Sequence, residues 1–347
     1  MKFTFAAFLL PLTFASPTPK LNRASGLASL AKHAGLRYFG TAVDSPALSN
    51  PQYTSIAFNK SEFNSVTLAN GQKWMYTEPQ RNVFNYTDAD IIINLADKAG
   101  QAHRCHNFVW HQQLPTWLTS QSWSKAELIS ILENHIKNQA TYFRDKCYAW
   151  DVVNEAYNDN GTYRSSIFYE TIGPSYIELA FKFARKYTKP GTKLYYNDYN
   201  IETVNNKSLA VQAMVKDFQA RHIPIDAVGL QSHFITGMSP SYQQIRDAQA
   251  LFTSRGLETA ITELDVRTTL PDSPEKQATQ AKNYADSVKA CVDEKRCVGV
   301  TVWDFWDPAS WVPSTFPGQG NADLWDENFQ KKPAYWAIAD MLMGYKG

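Results

Sequence analysis

The chain has 347 residues, with 34 Lys and Arg against 33 Asp and Glu, so its formal net charge is +1. So even a balance supplies no general field for nucleic acid or for an anionic membrane surface, and neither is expected as a partner. Aromatic residues make up 14%, including 10 Trp and 18 Tyr, which points to a large core or to a cleft that stacks flat apolar faces.

The N-terminus opens with Met1-Lys2 and an apolar run over 3–15, broken only by Pro11 and Thr13. Thr13 and Ala15 place small residues where cleavage before Ser16 needs them, the pattern of a secretory signal peptide over 1–15. A membrane anchor needs about 20 apolar residues, more than this run has. The expectation is therefore a secreted, extracellular protein, with a short leader over 16–25 and one domain over 26–347. A monomer is the default.

Strand-like runs follow at 38–43, 65–70, 102–110, 148–155, 194–199, 227–233, 259–266 and 298–305. Most are continuous and apolar, as parallel strands buried on both faces read. Helical patterns lie between them at 88–99, 125–143, 174–187, 207–222, 241–255 and 275–292. Ser124 reads as an N-cap, Pro174 fits a first helical turn, and Gly100 and Gly256 stand where left-handed glycines stop helices. Strands alternating with helices argue for a parallel α/β fold. No GxGxxG or Walker loop follows the first strand, which disfavours a nucleotide-binding open sheet. A closed (β/α)8 TIM barrel in a single domain fits better.

Four cysteines, an even set in a chain read as secreted, allow three pairings. Cys291 and Cys297 flank a charged turn, so a local bridge is natural, and Cys105 then pairs with Cys147. No CxxC or zinc-spaced Cys/His cluster occurs, so no metal site and no cofactor are expected. Asn59, Asn85, Asn160 and Asn206 head Asn-x-Ser/Thr sequons among polar turn residues and are candidate N-glycosylation sites.

The chemistry is carried by polar residues at the ends of apolar strands, which in a barrel line the catalytic face. The fourth run ends in Asn154-Glu155, and the seventh carries Glu263 and Asp265. Two carboxylates there can serve as acid and base, or as acid and nucleophile. Strand position alone leaves structural ion pairs equally open. The other ends add His106, Trp110, His111 and Gln113, then Asn197 to Asn200, then Gln231 and His233, then Trp303, Asp304 and Trp306. Such groups on most of the strands suit a polyhydroxylated substrate better than they suit packing.

Taken together and in order, FNSVTLANGQKW, RCHNFVWHQQLP, DVVNEA, KLYYNDYN, GLQSHF, ITELDV and VTVWDF resemble glycoside hydrolase family 10, the fungal endo-β-1,4-xylanase family. The resemblance runs from about Gly26 to the C-terminus, and the cysteine pairs look like those of one fungal branch. It implies that Glu155 is the acid/base and Glu263 the nucleophile of a retaining hydrolase acting on xylan. Asn154 would hold the 2-hydroxyl of the sugar in subsite −1, and His233 would hydrogen-bond Glu263 while oriented by Asp265. Asn70, Lys73, His106, Trp110 and Gln113 match glycone-side contacts, and Gln231 a further polar contact. Trp303 and Trp311 match an aromatic wall around subsite −1, and Tyr199 faces the aglycone side.

The sequence departs from the family pattern in places. Ala69 stands where a subsite −2 glutamate is common, Leu68 where Pro is usual, Gln72 where Met is usual, and Asp304 where Gly follows the eighth-strand Trp. These departures bear on glycone preference, so a tomatinase-like member, removing an oligosaccharide from a steroidal glycoalkaloid such as α-tomatine, is the alternative substrate reading. A non-catalytic sugar-binding barrel would normally have lost one catalytic carboxylate, and both are present.

Overall fold

The computed structural model describes residues 21–345. The signal peptide read over 1–15 and the first half of the leader lie outside the described residues. Arg23, in the part of the leader that is described, pairs with Asp340 on the final helix at 2.7 Å and lies over the Trp336 ring. The leader is thus tied down at its C-terminal end.

The strands are β1 (Tyr38–Val43), β2 (Ser65–Leu68), β3 (Ala102–Val109), β4 (Cys147–Asn154), β5 (Lys193–Asp198), β6 (Ala227–Leu230), β7 (His233–Ile235), β8 (Glu258–Thr269), β9 (Cys297–Val302) and β10 (Gln319–Gly320). Parallel pairing runs from β1 through β6, passes from β6 to β8 and β9, and closes from β9 onto β1. The result is the expected parallel barrel of eight staves with helices outside. β1 and β2 are buried along their whole length, which is why they read as unbroken apolar runs.

Several strands differ from the sequence reading, β9 among them, which ends at Val302 and not at 305. β2 stops at Leu68, and residues 69–70 lie in a bend. The sixth stave is one strand broken in two: Ser232 takes φ 66°, and β7 resumes beside β8 with His233 opposite Asp265. β8 continues to Thr269 because β10 pairs antiparallel with Thr268 and Thr269, a partner remote in sequence. Among the helices, Pro174 sits at the N-cap of Ser175–Tyr187 and not in its first turn. Gly100 does stop Thr87–Ala99 with φ 68°, and Ser124 forms a full capping box with Glu127. Helices Leu27–His33, Pro51–Ala57 and Pro333–Met343 had not been read from the sequence.

Inside the barrel, toward the N-terminal ends of the strands, Tyr38, Ala149, Tyr195, Ala227 and Ala260 form a small separate cluster. A Cβ on Gly299 would come within 2.5 Å of the Tyr38 ring, so that glycine makes room for the phenol. Beside this plug Arg104 makes a fully buried two-pronged contact with Asp151 and lies 4.9 Å from the Tyr195 ring centroid. Breaking such a pair from one side leaves a buried charge, at about 3–5 kcal/mol. Asp151 also accepts from His106 Nδ1 at 2.8 Å, so the plug fixes a residue of the catalytic face.

Both expected disulfides are present. Cys105–Cys147 joins the adjacent strands β3 and β4 with Cα atoms 5.7 Å apart, and Cys291–Cys297 clips Pro274–Val292 to the start of β9. All four sequon asparagines are exposed. Among the described residues no helix is long and apolar enough to cross a membrane.

Candidate active site

The C-terminal ends of the strands surround a cleft of about 800 Å³. Every residue expected to bind substrate or react lines it, from Asn70 at one wall to Trp311 at the other, except Asp265. Asp265 stands behind His233, where its carboxylate orients the imidazole.

Glu263, on β8, is 4% exposed. Its Oε1 accepts from Asn197 Nδ2 at 2.7 Å and its Oε2 meets His233 Nε2 at 3.2 Å, while His106 Nδ1 stands 3.9 Å away. Burial by itself would raise this carboxyl's pKa. The charge of His106, the bond and charge of His233 and the Asn197 amide outweigh it and hold Glu263 at about 2. His233 Nδ1 in turn meets Asp265 Oδ2 at 2.8 Å. Burial works against charging His233, but Asp265 and then Glu263 push its pKa up to about 10, so it is an imidazolium at neutral pH. Trp311 Nε1 donates to the same Asp265 oxygen at 2.7 Å, which ties the aromatic wall to this relay.

Glu155 immediately follows β4 and is 9% exposed. Its backbone is in the left-handed region at φ 57°, a conformation that costs a non-glycine residue of order 1–3 kcal/mol. Trp110 Nε1 donates to Oε2 at 2.8 Å, and Gln231 Nε2 and Asn154 Nδ2 donate to Oε1 at 3.0 and 3.2 Å. The two carboxylates are joined through amides. Asn154 Oδ1 accepts from Asn197 Nδ2 at 2.8 Å, and that same nitrogen donates to Glu263.

One wall of the cleft is a polar chain. Lys73 Nζ donates to Gln113 Oε1 at 2.7 Å and to Asn70 Oδ1 at 3.0 Å, and it lies 4.8 Å from the Trp110 ring centroid. Burial lowers its pKa to about 8 against the pull of Glu263, Asp44 and Glu155. Ala69 leaves this wall without a carboxylate at that position, but Asp44, which follows β1, lines it and accepts from Asn70 at 2.7 Å. Trp303 packs edge-on against both His106 and His233. Tyr199 lines the cleft beside Asn200.

Several residues of the site had no role in the sequence reading. Asn197 stands at a strand end, and its signal is a buried Asn on an apolar strand. Asp44 follows an all-buried strand and Arg164 falls in an irregular segment, so neither stood out. His111 Nδ1 lies 3.8 Å from Glu155 Oε2. Burial lowers its pKa to about 4, opposed by Glu155 and assisted by Arg164 and Lys207. Asp304 takes φ 66° and accepts from the backbone N–H groups of Phe305 and Trp306 and from Tyr53 at 3.0 Å. It serves the turn where the family commonly has glycine.

Two buried carboxylates at the strand ends, linked through the amides of Asn154 and Asn197, are the kind of groups a glycosidase pairs. The sequence model of glycosyl hydrolase family 10 matches residues 26–341. The chain belongs to glycosyl hydrolase family 10. It is 48% identical to endo-1,4-beta-xylanase D of Talaromyces funiculosus, over 92% of this chain and 78% of that protein. With endo-1,4-beta-xylanase 2 of Aureobasidium pullulans it shares 44% identity over 99% and 98% of the two chains. Among solved structures, the Penicillium canescens endo-1,4-beta-xylanase XylE superposes with a TM-score of 0.90 at 42% identity, covering 92% of this chain and 98% of that one. The xylanase from Bispora sp. MEY-1, solved with xylobiose, gives 0.87 at 43% identity, over 91% and 99%. As a family 10 member the chain is a glycoside hydrolase on a (β/α)8 barrel.

Proposed function

We propose that this protein is an endo-acting, retaining hydrolase of β-1,4-xylosidic bonds in xylan, with Glu263 as nucleophile and Glu155 as acid/base. The observation that carries the reading is the contrast between the two carboxylates. Glu263 is surrounded by cationic and amide donors that keep it ionised, and Glu155 sits beside an indole and two neutral amides. Relatives named as xylanases along nearly the whole chain support the substrate.

In the first step a Glu263 oxygen attacks the anomeric carbon, the glycosidic C–O bond breaks, and the leaving oxygen takes the Glu155 proton. In the second, Glu155 as carboxylate takes a proton from water, the water oxygen attacks the anomeric carbon, and the ester to Glu263 breaks. Asn154 is placed for the sugar's 2-hydroxyl, and His233, oriented by Asp265, steadies the Glu263 charge. His106, Trp110, Asn70, Lys73 and Gln113 bind the glycone. Trp303 and Trp311 form its aromatic wall, Gln231 holds Glu155, and Tyr199 faces the leaving group.

The disulfides and the exposed sequons support a secreted, glycosylated protein; its catalytic domain is read over 26–347, its signal peptide over 1–15, and a monomer is the default. The competing substrate, a steroidal glycoalkaloid, is favoured only by Ala69 and the changes around it. Product analysis with purified enzyme separates the two. Xylo-oligosaccharides released from xylan, with α-tomatine untouched, support the proposal. Cleavage of α-tomatine without action on xylan overturns it.

A further inference from the structure

Glu155 is strained, and both of its main-chain polar groups are held by neighbours. Its N–H donates to the Asn197 carbonyl at 2.9 Å, and its carbonyl accepts from Arg164 Nε at 3.0 Å. The same guanidinium reaches further. Its Nη2 donates to the Tyr199 hydroxyl at 2.6 Å and to the Tyr157 carbonyl at 3.2 Å, and the Arg164 N–H donates to the Ala156 carbonyl at 2.8 Å. Tyr199 is fixed from a second side by Lys207, which is fully buried, pairs with Asp198 at 2.8 Å and lies 3.6 Å from the ring centroid. Among the described residues, Arg164 is therefore the one side chain that bonds both the backbone of the carboxylate read as acid/base and the hydroxyl of the tyrosine read as facing the leaving group.

We infer that Arg164 is a positioning residue for proton donation: it holds the Glu155 backbone in its left-handed conformation and locks it to Tyr199, so that the carboxyl meets the leaving oxygen. The inference rests on the acid/base reading of Glu155. A planar fork suits the task, since it bonds three acceptors in fixed directions and an ammonium cannot. What it supplies is geometry. Its loss harms the step that needs a proton and spares a step that does not.

The test compares kcat/KM, which reports the first bond cleavage, on xylo-oligosaccharides and on 2,4-dinitrophenyl β-xylobioside, whose leaving group departs without protonation. Arg164→Gln is expected to lower the first at least about tenfold, a fraction of the roughly 10²–10⁴-fold that a placed general acid supplies. It should change the second less than about threefold. Arg164→Lys should fall between wild type and Arg164→Gln, and it carries the test alone if Arg164→Gln does not fold. Equal losses on both substrates, or none on either, overturn the inference. Glu155→Gln is the reference. A loss confined to the oligosaccharide in Glu155→Gln but not in the Arg164 variants removes the positioning role alone. No such split in Glu155→Gln itself removes the acid/base reading beneath it.

Discussion

Asn197 Nδ2 stands 2.7 Å from Glu263 Oε1, and the amide has no freedom to turn away. Its amino end faces two acceptors, Glu263 Oε1 and Asn154 Oδ1, and its oxygen accepts from Thr262 Oγ1 at 2.6 Å. Gly229 makes this possible, because a Cβ there would run into the Asn197 amide and the Thr262 methyl. The sequence of β6 thus sets the electrostatics of a residue on β8.

Removing that donor should loosen the hold on the Glu263 charge. Asn197→Ala is expected to raise the pKa of Glu263 from about 2, because a bond to the ionised form is lost. The acid limb of kcat/KM should move to higher pH, by roughly 1 unit or less for a single hydrogen bond. Gly229→Ala should act in the same direction and also lower the thermal midpoint. An unmoved acid limb in both variants would show that Asn197 does not govern Glu263.

The His233 relay makes a prediction about stability. His233 has its folded pKa raised to about 10, above the ordinary value near 6.5. A raised histidine contributes stability that is complete below about pH 6.5 and is lost as pH rises toward 10. Denaturant unfolding should therefore show stability falling across that window. In Asp265→Asn the slope should flatten, since the main group that raises His233 is gone. An equal slope in the variant would place the titration elsewhere.

The two disulfides should differ in worth. Cys105–Cys147 spans a sequence separation of 42 and Cys291–Cys297 one of 6. By loop-closure entropy the first contributes about 4 kcal/mol and the second about 2 kcal/mol. The paired variant Cys105→Ala/Cys147→Ala should lose more thermal stability than Cys291→Ala/Cys297→Ala. The reverse order would mean that native-state packing, not chain entropy, sets their contribution.

Glycone binding should respond at two positions on one wall. Lys73→Ala should lower kcat on oligosaccharides and not merely raise KM, if its contact tightens in the transition state. Ala69→Glu adds a carboxylate beside Asn70 and should lower KM for xylo-oligosaccharides. Steady-state kinetics on a chain-length series reads both. An unchanged Lys73→Ala takes Lys73 out of the site, and a raised KM for Ala69→Glu favours another glycone.

How legible all this was in the sequence depends on what holds each part. The staves were visible because buried parallel strands are continuous apolar runs, and the catalytic carboxylates were visible because Glu155 and Glu263 interrupt such runs. The break at Ser232 was not, since a left-handed serine leaves no mark between Gln231 and His233. The extension of β8 depends on Gln319 and Gly320, some fifty residues away. Arg164 looks like any loop arginine. Its place is set by a carbonyl and a hydroxyl that only the folded barrel brings together.

The central claim is a covalent intermediate on Glu263 with Glu155 opposite it. The measurement that reaches it most directly is the product of Glu155→Ala acting on 2,4-dinitrophenyl β-xylobioside with added azide. The first step needs no proton from that leaving group, so the glycosyl-enzyme should form and then await a nucleophile. Azide attacking it from the face the leaving group vacated gives a β-xylobiosyl azide, with turnover restored. An α-azide would contradict the account, because it requires a single displacement with no intermediate on Glu263.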